Sequence, residues 1–213
     1  MKLLRGLLLG GALLTAALPA LADKIITYTI DPSHTQVRFT WTHAGFSNPG
    51  AVFTDVTGTI QGDQDAPEKS TVSVSIPVTS LNSFVPLLNE HLLQSGDYFK
   101  AKDFPVITFQ STGMSDIDKT NRTFKLAGTL TINGISKPVV LNAKANTVGP
   151  HPFYDGAPAA GFDATTTFKR SDFGMGNYVP IVSDDLNVNI TVEAVESVMY
   201  EKKQAEWKKA AAK

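Results

Sequence analysis

The sequence predicts an antiparallel all-β fold of roughly eight strands, and three observations predict it. Apolar residues recur at every second position in one segment after another, the period of a half-buried strand. These segments are bounded by Gly, Pro, Asn and Asp, and hairpin-length links join antiparallel neighbours, not parallel ones. Within this strand-patterned chain one stretch, residues 87–95, carries helical spacing instead, with Leu87, Leu88, His91 and Leu92 on one face and Gly96 behind them as a stop. Alternation alone leaves a sandwich and a closed barrel open. Aromatic placement favours the barrel. Val37, Phe39 and Trp41 share a face, and a barrel of about eight strands either fills with side chains or holds one small ligand. Gly128, Ala143 and Ala145 among the inward positions leave room for a long slender one.

Residues 1–22 have the three parts of a secretory signal: Lys2 and Arg5, a Leu-rich apolar run, then Ala20, Leu21 and Ala22. Cleavage is expected before Asp23. The apolar run covers only about a dozen residues, short of the roughly 20 that a membrane span needs. Removing 22 of the 213 residues leaves 191, and because Lys2 and Arg5 leave with no acid, 17 basic face 20 acidic side chains, a net charge of −3. Such a balance argues against a nucleic-acid partner, which calls for clustered cations. No second run of spanning length follows, so stable membrane insertion is not expected. The chain has no cysteine, which removes disulfides, thiolate metal sites and a cysteine nucleophile together.

Along residues 23–198, read as one domain, strands are expected at 25–30, 34–43 and 51–61. Residues 71–78 place Val72, Val74, Ile76 and Val78 opposite Thr71, Ser73 and Ser75. Residues 105–111 return to a β-rich run containing Phe109. In 124–132, Phe124, Leu126, Leu130 and Ile132 alternate, and Asn133-Gly134 follows as a strong hairpin signal. Val139, Leu141, Ala143 and Ala145 continue the pattern, and near the end Leu186, Val188, Ile190, Val192 and Ala194 do the same. Residues 146–161 read as a Pro/Gly-rich flap. Residues 170–185, RSDFGMGNYVPIVSDD, read as a rim loop, and residues 199–213 as a frayed Lys/Ala-rich helical tail with Trp207 its one large apolar group.

Enzyme chemistry finds little purchase. The four histidines are His34, His43, His91 and His151. They form no HExxH and no i, i+4 pair. His34 and His43 stand nine apart on one expected strand, about 30 Å in extended geometry. No GxSxG elbow, Walker loop or dinucleotide fingerprint is present, so no metal, catalytic residue or cofactor is assigned. Two alternatives remain: a metal-dependent hydrolase built on a histidine cluster, and a filled β-sandwich interaction protein.

Four segments give the chain a specific likeness. They are YTIDPSHTQVRF at 28–39 with His43, Ala44 and Gly45; His91-Leu92 with DYFKAKDFPVITFQST downstream; GTLTINGISKP at 128–138; and RSDFGMG at 170–176. In this order, behind a signal segment, they resemble the YceI-like family of secreted, lipocalin-like barrels that bind isoprenoids and other lipids. The resemblance implies an eight-stranded barrel with an apolar tunnel and a helix near one end. It implies a periplasmic carrier or reservoir for an isoprenoid, an isoprenoid quinone or a fatty-acid derivative, not a catalyst. The ligand-binding positions are then Phe39, Trp41, Phe53, Phe109 and Leu126 on the strands. Leu88, His91, Leu92, Phe99 and Phe104 belong to the helix region, and His43, Phe46, Arg170, Phe173 and Met175 to the loops. This chain departs from the family in having Leu88 and Asn89 where an Arg-Asp pair is usual. An extra residue also separates His91 from Phe99. With no arginine there, an uncharged or weakly polar head is expected, at a mouth formed by the helix and the RSDFGMG loop, with Arg170 the one nearby substitute. The sequence leaves homodimerisation open.

Overall fold

The computed structural model describes residues 25–63 and 65–212; the signal segment and the cleavage site before Asp23 lie outside them. Among the described residues there are eleven strands. They are β1 (Ile25–Ile30), β2 (Gln36–Thr40), β3 (Gly50–Phe53), β4 (Thr57–Asp63), β5 (Thr71–Pro77), β6 (Leu81–Asn82), β7 (Val106–Asp118), β8 (Thr123–Ile132), β9 (Ile135–Pro150), β10 (Pro158–Lys169) and β11 (Asp185–Glu196). Helix α1 (Pro86–Gln94) lies between β6 and β7, and α2 (Ser197–Ala211) follows β11.

Register reduces these eleven to eight. β1 pairs with the end of β11, Ile30 facing Ala194, while β2 pairs further back along the same strand, Val37 facing Ile190. The two are halves of one strand bent at residues 31–35. β3 and β4 are related in the same way, as are β5 and β6, the last pair interrupted by a 3-10 turn at Val78–Ser80. Every pairing is antiparallel, and the contacts of β11 with both β1 and β2 close the sheet on itself. Closure removes the exposed edges that an open sheet would offer to another chain. The result is the antiparallel eight-stranded barrel that the aromatic placement favours.

The two ends differ because the chain crosses them differently. Three connections meet at one end: the link after β4, the β7–β8 turn and the β9–β10 turn. The other end receives everything longer, namely residues 41–49, α1 with residues 95–105, and residues 170–184, together with the two-residue turn at Asn133-Gly134. Asn133 and Gly134 both have positive φ, 52° and 74°, as a tight turn of this type requires.

Three expectations are corrected. Residues 146–161 are not a flap: β9 and β10 run through them, Pro150 facing Pro158, and leave only 151–157 as a turn. Prolines at strand ends cost no ladder hydrogen bond that the ends would need, which is why they mislead here. The expected strand 34–43 is shorter, since His34 sits in the bend and His43 lies beyond β2. The C-terminal segment is not frayed. Glu196 caps α2 by accepting from the amides of Val198 and Met199. Tyr200 stacks on Tyr154 at 6.0 Å, Trp207 meets Tyr154 edge-on at 5.2 Å, and Lys203 reaches Asp155 at 2.7 Å.

Candidate ligand-binding cavity

Period-two alternation sends one face of every strand inward, and the inward faces do not meet. They enclose a cavity of about 790 Å³, within the roughly 300–1,000 Å³ usual for small-molecule sites. Its wall is aliphatic and aromatic: Tyr28 and Ile30 from β1, Val72, Val74 and Ile76 from β5, Leu126 and Leu130 from β8, Val188 and Ile190 from β11. Two local features keep it open. Ala143, Ala145 and Ala160 put only methyl groups on one side. On the adjacent strand β8, Gly128 lets the Phe109 ring lie against its backbone, for a Cβ there would come within 2.3 Å of that ring.

The cavity has a floor. Phe39 stacks on Phe53 at 5.7 Å and on Trp41 at 5.8 Å, while Phe99 meets Phe39 and Phe53 edge-on at 6.0 and 5.6 Å. Beneath these rings Trp41, Leu92, Phe173 and Met175 join the same buried cluster. The loop 170–185 is therefore no rim. Arg170 is only 2% exposed, and its guanidinium donates to three backbone carbonyls: Nε to Ser183 at 2.8 Å, one terminal nitrogen to Val182 at 3.0 Å, and the other to Met175. It also lies 5.8 Å from the centre of the Tyr98 ring. A Phe-Gly-Met sequence among polar residues reads as loop, and the burial of Phe173 and Met175 becomes visible only once the arginine is seen to gather the carbonyls around it.

At the opposite end the lining reaches the hairpin turns: Asp63 after β4, Asp118, Lys119 and Arg122 at the β7–β8 turn, Val148, Gly149 and Pro158 at the β9–β10 turn. These are the charged groups of the lining, and all of them stand at this end. Both acids are engaged in their own turns. Asp63 accepts the amides of Asp65 and Ala66, and Asp118 those of Thr120 and Asn121 with the Asn121 side chain, which holds its carboxyl below the ordinary range. Among the described residues Lys119 and Arg122 form no ion pair. The entrance thus offers two cations that no sequence signal singles out, since charged residues are ordinary at hairpin tips.

Of the ligand-binding positions read from the sequence, Phe39, Phe53, Phe99, Phe109 and Leu126 line the cavity. Trp41, Leu92, Arg170, Phe173 and Met175 lie in the packed layer beneath its floor. The remainder stand away from it. Leu88 packs on the outside of that layer, and His91 is exposed with its ring edge-on to Tyr98 at 5.2 Å. Phe104 is partly exposed and covers Gly134; His43 is exposed, and Phe46 is 92% exposed. Helix α1 does neighbour the RSDFGMG segment, as expected, but at the sealed end, where it serves as a plug instead of a gate. Asn89 belongs to that end too, its Oδ1 accepting from the amide and hydroxyl of Ser83. Leu88 and Asn89 do not stand at the mouth, so their identity says nothing about the charge of a ligand's head.

A closed antiparallel barrel with an apolar interior, plugged at one end and entered at the other, is a lipocalin-like barrel of the ligand-enclosing kind. Residues 28–194 match the pattern of the YceI-like domain, and the chain belongs to the YceI-like family. It is 34% identical over 194 residues to a UPF0312 protein of Azotobacter vinelandii, covering 91% of this chain and 97% of that one. Among solved structures it resembles the YCEI protein of Campylobacter jejuni, with 37% identity, a TM-score of 0.64, and coverage of 73% of this chain and 89% of the other. A polyisoprenoid binding domain from Saccharophagus degradans shares the fold at 13% identity, with a TM-score of 0.56 and coverage of 80% and 99%.

Proposed function

We propose that this protein is an exported carrier or reservoir that encloses the chain of an isoprenoid, isoprenoid quinone or fatty-acid derivative in its barrel. The observation that carries the reading is the 790 Å³ cavity, whose wall between floor and entrance is apolar. Apolar area removed from water contributes about 25 cal/mol per Å², so a slender hydrocarbon gains more from entering than a compact polar molecule does. Family membership supports the class, and the polyisoprenoid binding described for the Saccharophagus domain supports the isoprenoid as one candidate. The tail enters first and rests on the Phe39, Phe53 and Phe99 rings. The head stays at the hairpin end beside Lys119 and Arg122, where an anionic group would find partners and a neutral one water.

Export follows from the signal segment at 1–22, and sequencing the secreted product should give Asp23 as its first residue. A periplasmic location is the corresponding reading for a bacterial host. Among the described residues no helix is long and apolar enough to cross a membrane. The test of carriage is titration of the ligand-stripped protein with a fluorescent polyene fatty acid, alongside Ala143→Trp. Wild type should bind saturably, and the indole should fill the cavity beside β9 and abolish uptake. Equal binding by the variant would place the ligand elsewhere.

A further inference from the structure

We propose that Asp31, His34 and Glu193 form a site for one divalent transition-metal ion on the outer wall of the barrel, at the bend between β1 and β2. Their ligand atoms all lie within 4.8 Å of one another. His34 Nδ1 is 2.8 Å from Asp31 Oδ2 and 3.7 Å from Glu193 Oε1. One imidazole nitrogen and two carboxylate oxygens, with a further position open to water, suit Zn²⁺, Co²⁺ or Ni²⁺ better than the oxygen-seeking Ca²⁺ or Mg²⁺.

The backbone holds this set in place. The amide of Ser33 donates to Asp31 Oδ1 at 2.9 Å, which fixes that carboxylate and leaves Oδ2 facing His34. The amide of Asp31 donates to the Glu193 carbonyl at 2.9 Å, and the amide of Glu193 donates to the Thr35 hydroxyl at 3.3 Å, tying the bend to β11 on both sides. His151 supplies the outer support. Its Nδ1 accepts the Phe153 amide at 3.2 Å, so the neutral ring carries its proton on Nε2 and donates to Glu193 Oε1 at 3.1 Å. A histidine that orients a ligating carboxylate in this way is a positioning residue, as outer partners in metal sites commonly are.

A second, independent observation is charge. The Asp31 side chain is 2% exposed and lies beside the Glu193 carboxylate, and among the described residues the two acids have no lysine or arginine partner, only the imidazoles of His34 and His151. Two adjacent carboxylates, one of them buried, call for a compensating cation. The His34 side chain is 63% exposed, so an ion has a way in. Glu193 follows Val192, which faces the cavity, so the site lies on the other side of the wall from any enclosed ligand. Its role is that of a clamp joining the bend, β11 and, through His151, the β9–β10 turn at the entrance.

The test uses untagged mature protein stripped with chelator, titrated with Zn²⁺ by calorimetry and with Co²⁺ by visible absorption at neutral pH. The expected result is one ion per chain, with binding weakened at least about tenfold in both His34→Ala and Glu193→Gln and unchanged in His91→Ala at the far end of the barrel. Absence of saturable binding, or binding that survives His34→Ala, would overturn the proposal. Should His34→Ala fail to fold, Zn²⁺ must raise the unfolding temperature of the wild type and not that of Glu193→Gln; equal shifts, or none, would overturn it equally. None of these readings depends on whether a lipid occupies the cavity.

Discussion

Arg170 carries a charge into the layer beneath the cavity floor and satisfies three backbone carbonyls there. Arg170→Met keeps the length of the side chain but leaves those oxygens without donors. Each hydrogen bond to a charged group contributes roughly 1.5–3 kcal/mol, so the variant should lose at least about 3 kcal/mol in denaturant unfolding, with its residual folded fraction still binding an apolar probe. Loss of binding without loss of stability would instead make Arg170 a ligand contact. Gly128→Val should act on the opposite property, since a side chain there meets the Phe109 ring. The ring must swing into the cavity, and probe affinity should fall more than unfolding free energy does. At this scale the sequence was legible where a residue obeyed its strand. Phe39 and Leu126 follow the alternation of their strands, whereas Arg170 reads by its charge as a headgroup partner because nothing local reveals that neighbouring carbonyls turn toward it.

The plug formed by residues 170–184 hangs on one more charged group. Burial alone would push the Asp184 carboxyl up, but donation from the Ser171 amide and hydroxyl, with Lys169 and Arg170 nearby, outweighs it and holds the group below the usual carboxylate range. A carboxyl depressed in the folded state adds stability above its unfolded pKa of about 3.9 and loses that contribution as pH falls through the folded value. Asp184→Asn should therefore unfold about 1 kcal/mol more easily at neutral pH. The gap should close in acid, a trend that paired denaturant curves against pH would reveal. Helix α2 is the other element whose state depends on one contact. Trp207→Ala should free its last two turns from Tyr154, seen as faster amide exchange over 203–211 with the barrel unaffected. Composition made this segment look frayed because a Lys/Ala helix has no stable apolar face of its own; the face it uses belongs to Tyr154 on a distant turn. Helix α1 was legible in both its extent and its neighbour, RSDFGMG. Which end of the barrel the two close was not, since period-two strands look the same from either end.

For the molecule as a whole, the closed barrel followed from alternation, hairpin-length turns and aromatic placement, and the three bent strands only divided into eleven what the pattern already contained. The emptiness of the interior was less legible. Small residues such as Ala143 and Gly128 hinted at it, but whether facing side chains meet depends on how far each strand tilts and where it bends, which single segments do not record. The convergence of His34 and His151 on Glu193 was hidden for the same reason: Thr35, whose hydroxyl accepts the Glu193 amide, stands 158 positions before Glu193. A cavity that encloses an apolar chain should release that chain on extraction. The most direct measurement is organic extraction of the mature protein, purified without detergent from its host, followed by mass spectrometry of the extract beside that of Ala143→Trp. The account predicts an isoprenoid or fatty-acid derivative in up to equimolar amount from the wild type and its loss from the folded variant. A wild-type protein that yields no such molecule and also fails to take one up when it is offered, or a variant that carries it as well as the wild type, would contradict the claim.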